Sequence, residues 1–419
     1  MVTMAFDFKP WRDNSYFGSA KDILRYLGDT VDEYGLGPHV RYNHRVAASA
    51  FDSATNRWTV QLADSSSKLK CRFLIFGQGY YSYSKPHRPR FAREEQFEGR
   101  IVHAQFWPED VDLANKRVAM IGSGATAVTL LPHVAAVAEK ATMVQRSPGY
   151  VFAAPSTRPW ACLRDKWYVP RCVYDWVSRY WDIYEKLKHL AIATKMPGKI
   201  KLAHRVHVKD QLGDSYGNFD PADFRPKYDV WDQRVCVAPG GDFFKALKSG
   251  KADVVTGTIR SFAPGGITMD DDRFVPADLI VLATGLTMEL KLNLTVDGTP
   301  VKESDCMLYR QTFLSDVPNC AILFGSTVES WTLSLGPACR FICSHLNYMR
   351  RKRYARVVVP KDPSVTPRPV ADLQANYIKR ATVFPTAGTV APWRYYHDYL
   401  RILWTFLAAK FDTNARYSR

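Results

Sequence analysis

The chain has 419 residues, 46% of them hydrophobic, and a formal net charge of +16. That length and apolar content can bury the cores of two or three domains, which excludes an intrinsically disordered chain. The excess of lysine and arginine favours an anionic partner, which could be nucleic acid, an acidic membrane surface or a phosphorylated cofactor.

The cysteines and the termini narrow the class of protein further. The eight cysteines are scattered, with no CxxC pair and no His/Cys cluster at zinc spacing, so neither a metal site nor a disulfide framework is expected. The first residues lack a basic-then-apolar signal pattern, and the late apolar stretch at 402–409 is far shorter than the ~20 residues of a spanning helix. We expect a soluble, cytoplasmic protein, with peripheral contact to a membrane left open.

Short strands form the first predicted elements. Apolar and β-branched residues at 58–62 and 71–76 predict two strands separated by polar turns. The second strand ends at Gly77-Gln78-Gly79, which tyrosines and prolines follow. Because no helix follows, this turn lacks the context of a phosphate-binding loop.

A linker motif precedes the next strand. In the segment FEGRIVHAQFWP, conspicuous residues stand in the spacing FxGxxxHxxxWP. They are Phe97, Gly99, His103, Trp107 and Pro108. A histidine at this point could act as an acid or a base, since its unperturbed pKa is ~6.5, but we assign His103 no such role.

A strand predicted at 118–121 ends in a glycine-rich turn that opens a helix at 126–139 and leads to a strand at 142–145. The turn comprises Gly122, Ser123, Gly124, Ala125, Thr126 and Ala127. Gly122 permits the tight turn, Gly124 lets the backbone approach a pyrophosphate, and Ala127 lets helix and strand pack closely. The phosphates of a dinucleotide would lie on the helix N-terminus. An ordinary glycine turn is the alternative.

The end of the second strand of this unit selects the cofactor, because a carboxylate there would hold the free ribose 2'-hydroxyl of NAD. The chain has Gln145, Arg146 and Ser147 at this point, without a carboxylate. Arg146 can pair with a 2'-phosphate through a charge-assisted contact. The sequence therefore predicts NADPH rather than NADH, and an exposed arginine without such a role is the alternative.

The rest of the chain continues the mixture of helix and strand. Residues 156–230 are rich in Trp, Tyr and Lys without a clear period, which indicates a largely helical insertion followed by a loop. A further strand is predicted at 279–282, and it ends in Ala283, Thr284 and Gly285. This alternation is typical of an α/β protein with a parallel, doubly wound sheet.

Two helices and two basic clusters complete the chain. The helices are predicted at about 335–352 and 393–410. Lysine and arginine are dense at 186–209 and at 350–356, which could bind nucleic acid or anionic lipid. More often such runs are solvated helix faces, and without a recognised nucleic-acid module we expect no nucleic-acid partner.

The linker motif directly before a glycine turn resembles the fingerprint of Baeyer-Villiger monooxygenases, a branch of the flavoprotein monooxygenases. Further stretches are similar to the mycobacterial thioamide-activating subgroup of this family, in order along nearly the whole chain. They are FDFKPW at 6–11, GYYSY at 79–83, GSGATAVTL at 122–130, QRSP at 145–148, WDQR at 231–234, LATGL at 282–286 and SWTL at 330–333.

The resemblance implies an α/β fold with two dinucleotide-binding, Rossmann-like domains, in which the NADPH domain is inserted into a discontinuous, N-terminally truncated FAD domain. Residues 1–110 would form part of the FAD domain. Residues 111–275 would form the NADPH domain, with the helical insertion at about 156–230, and residues 276–419 would return to the FAD domain and add C-terminal helices. The implied reaction is NADPH- and FAD-dependent oxygenation of a ketone, sulfur or nitrogen centre by O2 through a flavin C4a-peroxide.

The resemblance also implies roles for residues at matching positions. Arg234 in WDQR matches the active-site arginine and can supply a permanent positive charge, while Gln233 replaces the lysine that often precedes it. The aromatic stretch at 160–181 would border a cavity for an apolar ketone or a sulfur-containing small molecule. Cofactor contacts are implied near the flavin for Thr284 and Gly285 and, at the start of a helix aimed at the isoalloxazine, for Ser330, Trp331 and Thr332.

The family resemblance also implies that the linker motif couples the moving nucleotide domain to the rest of the protein. A packed anchor between domains is an equally good interpretation of Phe97, His103 and Trp107. Neither interpretation requires a proton transfer at the histidine.

The chain departs from the family at its first residues, where relatives carry a βαβ unit with a GxGxxG turn for the FAD pyrophosphate. Without the central strand of that unit, a neighbouring strand is predicted to keep an unpaired edge and an exposed apolar face. Three explanations compete: a start site placed too far downstream, which we favour, a shortened paralogue that binds NADPH without oxygenase activity, and a partner chain that supplies the unit.

Overall fold

The computed structural model describes residues 1–158, 160–164, 166, 168–326, 330–370, 376–381, 384–408, 411 and 414–419. The helices are α1 Ala20–Glu33, α2 Ala125–Val137, α3 Ala161–Arg164, α4 Arg171–Lys195, α5 Pro197–Leu212, α6 Asp242–Lys248, α7 Trp331–Lys352, α8 Asn376–Lys379 and α9 Tyr399–Leu407.

The strands follow these helices singly or in longer runs. They are β1 Val46–Asp52, β2 Arg57–Leu62, β3 Lys68–Cys71, β4 Leu74–Phe76, β5 Tyr81–Pro86, β6 Arg100–His103, β7 Arg117–Ile121, β8 Lys140–Gln145, β9 Val151–Ala154, β10 Cys236–Pro239, β11 Ala252–Thr256, β12 Ile259–Ala263, β13 Gly266–Met269, β14 Phe274–Pro276, β15 Leu279–Leu282, β16 Leu286–Met288, β17 Leu294–Val296, β18 Thr299–Pro300, β19 Leu308–Tyr309, β20 Phe313–Leu314, β21 Cys320–Ile322, β22 Arg356–Val358, β23 Pro367–Pro369, β24 Thr386–Gly388 and β25 Arg416–Ser418.

The predicted strand, glycine turn, helix and strand are confirmed as β7, α2 and β8. They belong to a five-stranded sheet of order β11-β8-β7-β15-β6, whose neighbouring strands are all parallel. We call it the parallel sheet. Helices α2 and α6 cover one face, and the antiparallel strands β12 to β14 cover the other. Both faces are therefore buried, which explains why β7 and β15 are almost uninterrupted apolar runs.

The insertion predicted to be largely helical contains α3, α4 and α5. Two histidines of α5 fix it to the parallel-sheet region, because each accepts a backbone N–H bond from β9 at its Nε2 atom. Val151 donates to His204 over 3.3 Å, and Ala153 donates to His207 over 2.9 Å. Each Nε2 must therefore be unprotonated in the folded protein.

This arrangement predicts a loss of stability in weak acid. Burial lowers the pKa of His204 from 6.5 to about 4, and His207 adds to the shift. Between these pH values the unfolded chain takes up a proton that the folded protein refuses, so the free energy of unfolding falls as the pH falls from 6.5 to about 4. We expect a loss of roughly 2–3 kcal/mol from this group. Urea unfolding at pH 7 and pH 5 measures it.

The exposed His189 provides the matched control for this pH effect. His204→Gln should flatten the dependence of unfolding free energy on pH, whereas His189→Gln should leave it as in the parent. Equal slopes in all three proteins would show that His204 does not cause the acid sensitivity.

A single strand predicted at 71–76 is wrong, because the structure divides it between two sheets. β3 pairs with β2 in the sheet of order β18-β17-β1-β2-β3, whereas β4 pairs with β21 in the sheet of order β19-β20-β21-β4. Asn319 holds the break between them. Its side-chain amide donates to the Arg72 carbonyl over 2.8 Å, and its own carbonyl accepts from the Leu74 N–H over 2.9 Å.

The unpaired strand edge predicted from the sequence is present at β4. This strand stands at the end of its sheet and pairs with β21 alone among the described strands. Ile75 at its centre is 43% exposed. A further strand could therefore add to this edge through its backbone groups.

Two short antiparallel strands, β5 and β16, connect the parallel sheet with the remaining sheets. The chain leaves the β4 sheet through β5 and returns through β16 after completing β15. The domain boundaries at 110 and 275 stay a prediction, and the parallel sheet takes in β6 and β15, which lie just outside them.

The first part of the helix predicted at 393–410 is wrong. α9 begins only at Tyr399, because the Asp398 carboxylate accepts the Arg401 N–H over 2.9 Å and caps the helix there. The preceding residues form a turn in which the Trp393 N–H donates to the Val390 carbonyl. Residues 409 and 410 lie outside the described residues. None of the described helices is long and apolar enough to cross a bilayer.

Candidate functional site

The glycine turn lies against the end of β15. Gly122 has φ +142°, and a Cβ atom at this position would stand 2.3 Å from the Ala283 carbonyl oxygen. No other residue type fits without moving one of the two segments. The turn and the predicted Ala283-Thr284-Gly285 segment therefore meet at the carboxyl edge of the parallel sheet, where α/β proteins of this topology bind ligands.

The N-terminus of α2 is open to a ligand. Gly124 is its N-cap and provides no side-chain cap, and a Cβ atom on Gly124 would meet no atom within 4 Å. Gly124, Ala125 and Thr126 are exposed, whereas Ala127 is fully buried against the sheet. Because the first N–H groups of a helix lack partners within it, this geometry fits the pyrophosphate of a dinucleotide.

The end of β8 lies beside the turn. The Ser123 hydroxyl donates to the Ser147 carbonyl over 2.9 Å. Gln145 is buried, and its side-chain amide donates to the Asp223 carbonyl and to Thr256, so its role is structural. Arg146 is exposed and is the side chain at this strand end that can reach a 2'-phosphate.

Sequence reasoning missed a second arginine at this point. Burial lowers the pKa of Arg380, and the charge of Arg146 lowers it further, so the two positive charges repel each other. A phosphate between them would relieve their repulsion. Residue 380 follows α8, far along the chain from β8, and no local motif could have predicted that its charge acts at this strand end.

His103 is held as a neutral anchor. The Gln105 N–H donates to its Nδ1 atom over 3.1 Å, so the ring proton lies on Nε2, which is 3.3 Å from the His87 carbonyl oxygen. Burial lowers the pKa of His103, which favours this uncharged form. The Thr284 hydroxyl donates to the same carbonyl over 2.5 Å. The fingerprint histidine is thus joined to Thr284 through one backbone oxygen.

The other fingerprint residues are packed. Phe97 is buried with its ring 6.2 Å from that of Phe262. A Cβ atom on Gly99 would stand 2.4 Å from the Asp278 carbonyl oxygen, so only glycine fits there. Trp107 and Pro108 are half-buried, and Trp107 packs against the core of the parallel sheet. These contacts support the anchoring interpretation, and a dynamic role stays a prediction.

The predicted helix start at Ser330 is confirmed, and its side chains are engaged. Ser330 is the N-cap of α7, and its hydroxyl lies 2.8 Å from that of Thr3. The Lys186 ammonium of α4 donates to both hydroxyls over 2.6 Å, and the Thr332 hydroxyl donates to the Thr3 carbonyl. The sequence placed Lys186 in a basic cluster and gave no signal of this contact.

The structure does not bring the start of α7 to the glycine turn. The pair β5 and β16 lies between them: His87 donates its N–H to the Gly285 carbonyl at one end, and Tyr81 pairs with Met288 at the other. Tyr80 next to that second end contacts Trp331, with ring centroids 6.2 Å apart. The predicted residues therefore form two groups. The first group lies at the glycine turn and the end of β15, and the second group lies at the start of α7, separated from the first by the length of the pair β5 and β16.

The second group fits part of a flavin. Gly79 and Gly325 follow the parallel strands β4 and β21 and have φ of +73° and +78°. The Tyr80 and Phe324 rings stack between them at 4.8 Å, and Trp331 is partly exposed beside Gly325. Tyr80 and Phe324 are buried, so Trp331 is the ring of this group that a flat ring system could contact. For the flavin pyrophosphate the described residues offer no strand-turn-helix cradle, since β5 follows the turn at 77–79.

Arg234 belongs to neither group and lies two residues before β10 in the chain. Its side chain is exposed and forms no hydrogen bond or ion pair with any described residue. Three positions earlier, Trp231 has φ +76°, which is strained for a bulky residue. Trp231 and Tyr395 both line a cavity of about 570 Å³. The Tyr395 hydroxyl donates to the Gly325 carbonyl over 2.5 Å, so the cavity adjoins the start of α7.

A metal centre has no support in this arrangement. Within the described part of the chain, no three His, Cys, Asp or Glu side chains are grouped as ligands for a metal ion. The eight cysteines are all free thiols.

The parallel sheet, its glycine turn and the second group of residues define a dinucleotide-binding oxidoreductase of the α/β class. No protein-family model matches the chain. Over 98% of its length it is 37% identical to the FAD-containing monooxygenase EthA of Mycobacterium tuberculosis, of which it covers 85%. Over 98% of its length it is 36% identical to the probable FAD-binding monooxygenase AlmA of Acinetobacter baylyi, of which it covers 84%. The chain belongs to the family of FAD-containing monooxygenases.

Solved structures share the fold. An open structure of cyclohexanone monooxygenase matches with a TM-score of 0.73 at 16% identity, covering 100% of this chain and 89% of that one. Oxidised steroid monooxygenase bound to NADP matches with a TM-score of 0.71 at 19% identity, covering 99% and 89%. The predicted family and the predicted fold class are both confirmed.

Proposed function

We propose that this flavin-dependent monooxygenase uses NADPH and FAD to oxygenate an apolar ketone or a sulfur-containing small molecule with O2. The observation that carries the proposal is the open turn at Gly122 and Gly124 with the exposed Arg146 at the neighbouring strand end. That arrangement suits a dinucleotide with a 2'-phosphate. The reaction class follows from the membership of the chain in the family of FAD-containing monooxygenases.

The chain's own residues would divide the work as follows. The α2 N-terminus and Arg146 bind and orient NADPH, and the neutral His103 keeps the linker in register with Thr284. A bound flavin supplies the oxygen-activating chemistry. Arg234 contributes a fixed positive charge near the cavity that stabilises negative charge developing in the reaction, provided that water is excluded.

Flavin binding separates this proposal from its alternative, a paralogue that binds NADPH without oxygenating anything. The purified 419-residue chain should be yellow with a flavin absorption spectrum, and NADPH consumption should match O2 uptake when a phenylacetone-like ketone or a thioether is added. A fusion that adds the first βαβ unit of a relative should be put through the same assays. They test whether a strand of that unit can add to the exposed edge of β4. A colourless chain that binds NADPH, together with an inactive fusion, would leave the alternative standing.

We also propose contact with an anionic membrane surface. Helix α4 carries one stripe of apolar side chains at helical spacing, and each is at least 45% exposed. The stripe comprises Val173, Trp176, Val177, Tyr180, Trp181 and Tyr184. Tryptophan and tyrosine favour the bilayer interface, and the net charge of +16 attracts acidic headgroups.

Vesicle flotation tests the membrane contact. The chain should float with phosphatidylglycerol vesicles and less with phosphatidylcholine vesicles, and the double variant Trp176→Ser, Trp181→Ser should lose most of the bound fraction. Phe274→Ser, which removes an exposed aromatic from β14, is the matched control. Self-association of the parent without vesicle binding would assign the stripe to an interface between copies instead.

A further inference from the structure

The cavity beside Trp231 has the volume of a binding site for a small molecule. Its volume is about 570 Å³, which is within the ~300–1,000 Å³ range of ligand pockets. It is formed by the C-terminal half of α4, by Trp231 and by the segments around Arg368 and before α9. The lining residues are Leu187, Leu190, Ala191, Thr194, Trp231, Arg368, Arg394, Tyr395, Tyr396, His397, Asp398, Leu400 and Arg401.

One wall of the cavity is apolar. Leu187, Leu190 and Ala191 follow each other at helical spacing on α4 and so present one face. Leu400 from α9 and Trp231 also line the cavity. An alkyl chain laid along the apolar face would leave water, and each buried methylene group would strengthen binding.

Other lining residues carry an excess of positive charge. It contains three arginines, Arg368, Arg394 and Arg401, and one carboxylate, Asp398. That carboxylate is already used, because it caps α9 and lies 3.5 Å from the Arg401 Nε atom. Asp398 therefore offsets Arg401 and is not available to Arg394.

Arg394 is the guanidinium best placed to receive an anion. No carboxylate of the described residues lies within ion-pair distance of it, and its Cζ atom lies over the Tyr396 ring, 5.5 Å from the centroid. Stacking on a ring holds an arginine in place while its N–H groups at the edge stay available for a carboxylate. An apolar wall beside such a group selects for a ligand that is both oily and acidic.

We infer that this cavity binds an apolar chain that ends in a carboxylate, with the acid group on Arg394 and the chain along Leu187, Leu190 and Leu400. Binding of such a molecule is independent of the proposed function. Its role as the substrate, a keto acid or a thioether acid oxygenated away from the carboxylate, rests on that function. With its acid group bound to Arg394, the molecule would lie in one orientation, with its apolar end pointing away from Arg394.

Isothermal titration calorimetry with decanoate and methyl decanoate tests the inference, since the two share a chain and differ in charge. Decanoate should bind at least tenfold more tightly, and Arg394→Gln should weaken decanoate binding about 10- to 100-fold, as expected for a charge-assisted contact. Arg394→Lys should keep part of the affinity. Methyl decanoate should bind the parent and both variants alike.

Arg41 supplies the control, because it is exposed and lies outside the cavity lining. Arg41→Gln should bind decanoate as the parent does. Equal affinities for the acid and its ester, or equal losses in the Arg394 and Arg41 variants, would overturn the inference while leaving oxygenation of neutral ketones intact. Tight decanoate binding by a chain that oxygenates neither ketones nor keto acids would instead refute the proposed function alone.

Discussion

Substituting Gly122 with alanine is expected to weaken NADPH binding roughly 100-fold. A methyl group at this position would stand 2.3 Å from the Ala283 carbonyl oxygen, and the backbone angle of +142° is strained for any L side chain. The turn must then move away from β15, and the N–H groups at the start of α2 move with it. Titration of the variant with NADPH, followed by calorimetry, measures the loss directly and requires no flavin.

Gly28 provides the matched glycine, because it lies exposed within α1 and an added Cβ atom would meet nothing within 4 Å. Gly28→Ala should bind NADPH as the parent does and should be slightly more stable, since alanine favours helix. If Gly122→Ala bound NADPH normally while remaining folded, the turn would not be the nucleotide cradle.

Arg146→Gln distinguishes the phosphate contact from the cradle itself. A guanidinium on a 2'-phosphate forms charge-assisted bonds, and their loss should weaken NADPH binding about tenfold or more without affecting NADH, which lacks that phosphate. The Gly122 variant should instead lose both nucleotides equally. The ratio of NADPH to NADH affinity in the two variants therefore separates selection of the cofactor from binding of its pyrophosphate.

The nucleotide unit was predictable because its signals are local. Strand, glycine turn, helix and second strand occupy one continuous stretch, and Gly122 meets a steric demand of that turn, the close approach of the Ala283 carbonyl oxygen. The end of β15 was equally clear, since its four residues form a short apolar run before Ala283. The predicted strand boundaries were wrong where a side chain far away in the sequence determines them, as Asn319 does between β3 and β4.

The rest of the candidate site depends on contacts that no local pattern encodes. The charge of Arg146 acts on Arg380, and Lys186 contacts Ser330, only because the fold brings distant segments together. The cavity likewise combines a helix predicted from composition alone with the turn before α9, which was wrongly predicted to be helical. The sequence motif WDQR identified Arg234 as a candidate, but it gave no indication that Trp231, three residues earlier, lines a cavity.

Substituting Arg234 with glutamine is expected to lower turnover about 10²- to 10³-fold, the usual cost of removing one charge-stabilising donor from an active site. Its guanidinium has no partner among the described residues, so the structure needs it for no contact of its own. Nucleotide binding should be nearly unchanged, since the glycine turn and Arg146 belong to other segments. Steady-state NADPH oxidation and product analysis, in whichever form of the protein turns over, give kcat and coupling separately.

Arg234→Lys and Arg205→Gln sharpen the interpretation. Lysine keeps the charge but loses the planar fork of donors, so it should restore part of the turnover, whereas loss of the exposed Arg205 on α5 should leave turnover unchanged. A role in charge stabilisation predicts lower product yield for each NADPH oxidised in the glutamine variant. If that variant lost NADPH affinity in proportion to its activity and kept full coupling, Arg234 would serve nucleotide binding and the charge for the reaction would have to come from another cation.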